Sequence, residues 1–115
     1  MSSVDERFRT SNRLKRPEEF QKVFSSKLRS SDKSFLLIAR KNGTNLPRLG
    51  LAIPKKHISQ SVKRNQIKRL IRESFRLNKD LLQGLDIVAV VKQDIKNNRA
   101  EIRENLKEHW NNIGR

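Results

Sequence analysis

The sequence predicts a small α/β sandwich, a single domain whose elements follow the order α-β-β-α-β-α. Two observations support this prediction. Three segments carry apolar residues at helical spacing, and three shorter segments are apolar or β-branched and end at turn residues. The chain has 115 residues, of which 34% are hydrophobic, so it can bury one modest core.

The first 15 residues are polar and basic, and we expect residues 1–15 to form an N-terminal arm and residues 16–115 the folded domain. The N-terminus has no apolar run of the kind that secretory signals carry. The longest strongly apolar stretch, Ile87 to Val91, is too short to cross a bilayer. We therefore expect a cytoplasmic protein that does not enter membranes.

The first predicted helix covers about residues 17–26. Pro17 suits the first helical position, where its missing N–H costs nothing. Glu18 and Glu19 fall in the first turn, where the helix dipole favours negative charge. Apolar residues then follow at the i, i+3, i+4 spacing of one helical face, namely Phe20, Val23 and Phe24.

Two strands are predicted next, at Ser34–Arg40 and Arg48–Pro54. Asn42-Gly43 and Pro47 mark a turn between them, so we expect the two strands to pair as an antiparallel hairpin. The β-branched run Ile87 to Val91 predicts an interior strand.

A helical pattern fills about residues 61–78, between the second and third predicted strands. This strand–helix–strand order predicts a crossover joining two parallel strands. The last helix is expected from Asn98, a good N-cap residue, to about residue 112. Its apolar positions fall four residues apart, at Ile102, Leu106 and Trp110.

Positive charge dominates the chain and is concentrated in one segment. The net charge is +15, which favours a polyanionic partner and makes nucleic acid the default inference. Between Lys55 and Lys79, nine basic residues face a single acid, Glu73, which gives +8 within 25 residues. The last helix differs, because its sequence alternates positive and negative residues.

Helical geometry separates the central segment into two faces. At 100° per residue, Ile67, Leu70, Ile71, Ser74 and Phe75 share a core face, and the opposite arc carries Asn65, Lys68, Arg69, Arg72, Arg76 and Lys79. Like charges four residues apart destabilise a bare helix, so an ordinary solvated face explains the pattern poorly. A membrane-surface helix would need a free apolar face. Asn65 has the alternative role of capping the helix.

The most specific pattern runs from Lys63 to Arg76, with the letters KRNQIKRLIRESFR. It resembles the signature helix of the bacterial ribonuclease P protein family. The preceding stretch RLGLAIPKK, at residues 48–56, is similar to the family's strand that ends in paired lysines. RLKR at residues 13–16, followed by FQKVF at 20–24, matches the family's opening helix. The resemblance covers nearly the whole chain.

The resemblance implies a left-handed β-α-β crossover and a division of labour with RNA. Residues of the central segment would bind the catalytic RNA subunit, namely Lys55, Lys56, Lys63, Arg64, Asn65, Lys68, Arg69, Arg72 and Arg76. A cleft between the first helix and the sheet would hold the single-stranded 5′ leader of precursor tRNA. By family position and strand alternation, its candidates are Phe20, Leu36, Ile38 and Ile53.

Three positions depart from the family pattern. Gln66 stands where a cation is expected, and Pro54 stands where a small residue, often serine, is usual. Ile38 occupies a position where some relatives carry tyrosine, which argues against aromatic stacking at that point.

The sequence contains no evident machinery for cleaving a phosphodiester bond. Its two histidines, His57 and His109, lie in unrelated contexts, its acids are scattered, and no metal or phosphate-loop motif is present. In the family, the RNA is the catalyst and carries the essential Mg²⁺, so we expect no cofactor on the protein alone. We expect a non-catalytic enzyme subunit, a monomer in a one-to-one complex with the RNA. A ribosomal or other structural RNA-binding protein and a small autonomous nuclease remain the alternatives.

Overall fold

A computed structural model describes residues 10–96 and 98–114 and shows three α-helices and a four-stranded mixed sheet. The helices are α1 (Pro17–Phe24), α2 (Ser61–Leu77) and α3 (Arg99–Ile113). The strands are β1 (Leu28–Ser31), β2 (Phe35–Lys41), β3 (Arg48–Ala52) and β4 (Leu85–Val91). No helix in these two ranges is both long and apolar enough to cross a membrane.

The strand order β1-β2-β4-β3 confirms one pairing prediction and corrects another. Strands β3 and β4 are parallel neighbours joined through α2, as the crossover prediction requires. The predicted hairpin between β2 and β3 is wrong, because β4 lies between these strands. The hairpin partner of β2 is β1, an edge strand that the sequence does not predict. The handedness of the crossover stays a prediction.

Strand β1 escapes prediction because its sequence, LRSS, has a single apolar residue. Leu28 is exposed, and the buried position is Ser30. The side chain of Ser30 is instead satisfied by hydrogen bonds from α3. A strand that buries a hydroxyl rather than a hydrocarbon leaves no apolar alternation for a sequence pattern to detect.

The sheet separates two apolar clusters. The larger cluster lies under α2 and α3 and includes the predicted core residues of both helices, from Ile67 to Phe75 and from Ile102 to Trp110. The smaller cluster lies under α1 and includes Val23, Ile38 and Val88. The sheet is therefore covered on both faces, by α2 and α3 on one and, among the described helices, by α1 on the other.

Helix ends follow the predicted capping chemistry at α3. The side chain of Asn98 accepts a hydrogen bond from the backbone N–H of Glu101 at 2.9 Å, and the Glu101 carboxylate accepts one from the Asn98 N–H at 3.2 Å. This reciprocal pair confirms Asn98 as the N-cap. Helix α1 ends at Phe24, two residues before the predicted end.

The described part of the predicted N-terminal arm lies on the free edge of β3. Arg13 forms an isolated parallel bridge with Leu49, and the Leu14 N–H donates to the Leu49 carbonyl at 3.0 Å. Leu14 is buried, and the Asn12 side chain donates to the Pro47 carbonyl at 2.7 Å. Residues 1–9 of the predicted arm lie outside the described residues.

Candidate nucleic-acid interface

Five polar and cationic side chains form a continuous surface on the outer face of α2. We call this surface the α2 stripe; together with Glu73, it lines one open cleft, and its members are Asn65, Lys68, Arg69, Arg72 and Arg76. Helical periodicity brings them together, since their spacings of three, four and seven residues keep them on one side of the helix. Five of the nine predicted RNA-binding residues thus share one surface.

The α2 stripe crowds positive charge without enough nearby acid to balance it. Burial lowers the pKa of Arg72, and the neighbouring charge of Arg13 lowers it further. Within residues 10–96 and 98–114, Lys68 and Arg69 make no hydrogen bond or ion pair with another side chain. Guanidinium groups arranged in this way match the oxygens of phosphate groups, which they can bind through two parallel hydrogen bonds.

Two of the predicted RNA-binding residues at the start of α2 are engaged within the protein. Lys63 forms an ion pair with Asp94 at 2.6 Å. The Arg64 guanidinium donates to the carbonyl of Ile53 at 2.5 Å and to that of Ile58 at 3.3 Å. Arg64 therefore ties the loop after β3 to the helix, which is a structural role that its position in the motif does not reveal.

The two remaining predicted RNA-binding residues precede α2, and two other predictions for this helix are corrected by the structure. Lys55 and Lys56 are exposed in the turn before the helix. Asn65 does not cap α2, because the N-cap is Gln60 and Asn65 is exposed within the helix. Lys79 lies beyond the end of α2 and is buried, so its predicted place among the cations of the helix is wrong.

A second candidate surface lies on the opposite face of the sheet, beside α1. We call it the α1 cleft; it consists of four partly buried residues packed on the smaller apolar cluster, namely Phe20, Leu36, Ala52 and Val90. Of the predicted leader residues, Phe20 and Leu36 lie on this surface and Ile38 lies beneath it, only 1% exposed.

Ile53 does not belong to the α1 cleft. It joins the core cluster under α2 and α3, on the other face of the sheet. Alternation along β3 explains the difference, because Gly50 and Ala52 share the face of Phe20, and the next residue points away from it. The structure therefore places Ile53 outside the predicted cleft between the first helix and the sheet, and Ala52 is the neighbouring residue that lies on the cleft side.

The Phe20 ring lies directly over Gly50. A Cβ atom placed on Gly50 would be 2.5 Å from Cζ of Phe20 and 2.7 Å from its Cε1. Since any side chain at this position would displace the ring, the glycine sets how closely α1 approaches β3. The resemblance includes this glycine within the stretch from Arg48 to Lys56, but its role is visible only in the structure.

The two candidate surfaces meet at the free edge of β3. One further cleft is lined by Phe20, Gly50 and the N-terminal residues Arg13 to Lys15, and also by two members of the α2 stripe, Lys68 and Arg72. Among the residues that the structure describes, the ring of Phe20 and two cations of the α2 stripe therefore face the same cleft.

Arg48 holds α1 in place against the sheet. Its guanidinium makes two hydrogen bonds to the buried carboxylate of Asp86, at 2.7 and 2.6 Å, and a third to Glu19 at 2.7 Å. The backbone N–H groups of Arg16 and Lys15, together with Arg48, lower the pKa of Glu19. Glu19 immediately precedes Phe20, so Arg48 positions the ring of the α1 cleft although it lies outside that cleft.

The histidines and acids form no recognisable hydrolytic centre in the described ranges. The His109 ring is hydrogen-bonded to the Ser30 hydroxyl through Nδ1 (2.6 Å) and to the Asp32 carboxylate through Nε2 (3.0 Å). Ser30 and His109 are both buried between β1 and α3, and Asn112 donates to the same hydroxyl at 3.0 Å. This network joins α3 to the sheet. Within residues 10–96 and 98–114, no group of three or more His, Cys, Asp or Glu residues could hold a metal ion.

Three comparisons identify relatives of the chain. The sequence model of the family described as Ribonuclease P matches residues 8–114. The chain is 41% identical over 116 residues to a Pseudomonas putida ribonuclease P protein component, a match that covers 97% of this chain and 85% of the relative. Identity with the Methylococcus capsulatus ribonuclease P protein component is 43% over 104 residues, 90% of this chain and 81% of the relative.

Solved structures give the same result. The RNase P protein from Staphylococcus aureus superimposes with a TM-score of 0.79 at 25% identity, covering 87% of this chain and 93% of the other. The RNase P protein from Thermotoga maritima gives a TM-score of 0.74 at 29% identity, covering 84% and 92%.

Proposed function

The chain belongs to the bacterial ribonuclease P protein family, and we propose that it binds the catalytic RNA through the α2 stripe and the 5′ leader of precursor tRNA through the α1 cleft. Ribonuclease P is an endoribonuclease that processes the 5′ end of tRNA, and this family supplies its protein subunit. Family membership therefore favours this function over the ribosomal and autonomous-nuclease alternatives.

The observation that carries the proposal is the junction of the two surfaces at Lys68 and Arg72. Both residues belong to the α2 stripe, and both also line the cleft that contains Phe20. A leader in the α1 cleft can place its phosphates near Lys68 and Arg72, at the end of the stripe, while an unpaired base stacks on the ring, where stacking contributes on the order of 1–3 kcal/mol whatever the base. This combination of phosphate and stacking contacts suits a single-stranded leader.

We assign catalysis to the RNA subunit and infer that the protein assists it through its positive charge. The essential Mg²⁺ of the family does not fit a site among the residues that the structure describes, because they offer no carboxylate cluster to hold it. The chain's net charge of +15 instead offsets repulsion between two polyanions. The protein should therefore lower the Mg²⁺ concentration that the RNA subunit requires.

Reconstitution tests this division of labour. Purified protein freed of RNA should leave precursor tRNA uncut at every Mg²⁺ concentration. The RNA subunit alone should cut slowly at high Mg²⁺, and added protein should restore cutting at low Mg²⁺. Cleavage by RNA-free protein, or a Mg²⁺ requirement that the protein does not change, would contradict the proposal.

Leader binding is tested with two substrates that differ only in the leader. Phe20→Ala should weaken the affinity of the holoenzyme for precursor tRNA by a factor corresponding to about 1–3 kcal/mol, because one stacking surface is lost. Its affinity for mature tRNA, which has no leader, should not change. Phe24→Ala is the matched control, since Phe24 lies on the same helix but is 40% exposed and lies outside the smaller apolar cluster. Equal losses for both substrates would show that Phe20 serves only the fold.

A further inference from the structure

The surface of α2 continues past the stripe into a groove between α2 and α3. Arg69 lines both the cleft of the α2 stripe and this groove, as do Asn65 and Glu73. The far side of the groove is formed by Arg99 and Arg103 of α3. The helices are in direct contact below it, where the indole N–H of Trp110 donates to the Ser74 hydroxyl at 2.7 Å.

The charges of α3 are separated by face, although they alternate in the sequence. At 100° per residue, Arg103 lies about 40° from Arg99 and Lys107 about 80° from it, whereas the three acids of the helix lie at about 140° to 200°. These acids, Glu101, Glu104 and Glu108, are all exposed. The helix thus presents its arginines towards α2 and its carboxylates towards solvent.

The groove has an excess of positive charge that the protein itself does not neutralise. Three arginines, Arg69, Arg99 and Arg103, line it against one acid, Glu73. Among the residues that the structure describes, none of these four side chains forms an ion pair or hydrogen bond with another side chain. Arg99 and Arg103 repel each other at i, i+4, so this arrangement costs stability in the free protein. An anion bound in the groove would relieve that repulsion, and this relief would favour binding.

We propose that the groove between α2 and α3 binds the phosphate backbone of the RNA subunit, through Arg69, Arg99 and Arg103, as a continuation of the α2 stripe. The inference rests on the proposed function, which assigns the stripe to the same RNA. Gln66, exposed on the wall of the groove, supplies an amide beside the arginines. The groove has a volume of about 480 Å³. The RNA-binding surface therefore includes α3, which the family signature on α2 does not cover.

The test compares the salt dependence of RNA-subunit binding among three double variants. Arg99→Ala/Arg103→Ala removes the α3 side of the groove, and Arg69→Ala/Arg72→Ala removes charge from the stripe. Lys27→Ala/Lys41→Ala is the matched control, because it removes two exposed cations. Neither of them lines the cleft of the α2 stripe, the groove between α2 and α3, or the cleft that contains Phe20. Each lost phosphate contact should reduce the slope of log K against log salt by roughly 0.7–0.9.

We expect the groove variant to lower the slope by one to two units relative to the control, while its preference for precursor over mature tRNA is unchanged. If the groove variant has the same slope as the control while the stripe variant has a lower one, the groove does not bind the RNA but the proposed function stands. Slopes unchanged in both variants would contradict both.

A second measurement does not depend on the stability of these variants. The chain contains no cysteine, so Gln66→Cys introduces a single attachment point for an iron chelate that generates hydroxyl radicals. Bound to the RNA subunit, this derivative should cut the RNA backbone at a discrete site, whereas Lys41→Cys should not. Absence of cutting from position 66 in a complex that forms normally would overturn the proposal.

Discussion

Replacing Arg48 with methionine should destabilise the protein through the carboxylate that it leaves behind. The side chain of Asp86 is 5% exposed, and among the described side chains it would retain only the hydrogen bond from Asn42, at 2.9 Å. Removing one partner of a buried ion pair costs about 3–5 kcal/mol. Arg48 is itself 30% exposed, so water can partly replace it, and we expect the lower end of that range.

The contribution of Glu19 to this cost is small. Its side chain is 23% exposed, and it keeps the hydrogen bonds from the backbone of Lys15 and Arg16. An accessible ion pair of this kind contributes at most about 1 kcal/mol. The free energy of unfolding should therefore fall by about 3 kcal/mol, which for a domain of this size corresponds to a Tm lower by roughly 12 °C.

Urea denaturation followed by the fluorescence of the single buried tryptophan, Trp110, measures this change directly. Arg40→Met is the matched control, because Arg40 is exposed and lies opposite Asp86 in the register of β2 and β4. Adding Asp86→Asn to Arg48→Met should recover part of the loss, since it removes the uncompensated charge. A loss no greater than that of Arg40→Met, or no recovery in the double variant, would refute the reasoning.

Three further predictions concern the α1 cleft, acid stability and catalysis. Gly50→Ala should displace the ring of Phe20 and reduce the preference of the holoenzyme for precursor over mature tRNA. The overpacking should also lower the free energy of unfolding by about 1–3 kcal/mol. An unchanged preference would show that the ring does not contact the leader. Burial acts to raise the pKa of Asp32, but hydrogen bonds from the Phe35 N–H and others outweigh it, so the pKa is lowered. The stability that Asp32 contributes is therefore present above its unfolded pKa and lost as the pH falls through its folded pKa. In Asp32→Asn, the free energy of unfolding should decrease less steeply as the pH is lowered, and an unchanged decrease would contradict this. His57→Ala should reduce cleavage by less than the roughly 10²–10⁴-fold expected for a general acid or base, and a variant that binds RNA normally but no longer cuts would contradict the assignment of catalysis to the RNA.

The elements that could be predicted from the sequence are those with a strong local signal. The predicted bounds of α2 lie within one residue of the observed ones, because its core positions from Ile67 to Phe75 follow the helical period without interruption. Asn98 was predicted as a cap from residue type alone. Strand β1 and the pairing of β2 with β4 could not be predicted, since pairing depends on contacts between segments far apart in the sequence.

The candidate site divides in the same way. Helical periodicity predicts the α2 stripe, because the spacing of its five members, four of them cations, places them on one face of the helix. Arg64 illustrates the limit, because nothing in its spacing shows that its guanidinium binds two backbone carbonyls. Ala52 and Val90 also escape prediction, since a small residue and one residue of a continuous apolar run do not indicate which face of the sheet they occupy.

The interface with RNA is tested most directly by the salt dependence of binding to the RNA subunit. If Arg69 and Arg72 each contact a phosphate, Arg69→Ala/Arg72→Ala should lower the slope of log K against log salt by about 1.4–1.8 units, at about 0.7–0.9 per contact. Circular dichroism should show an unchanged fold, because both residues lie on the outer face of α2. A double variant that binds the RNA with the wild-type slope would contradict the assignment of the α2 stripe to phosphate binding.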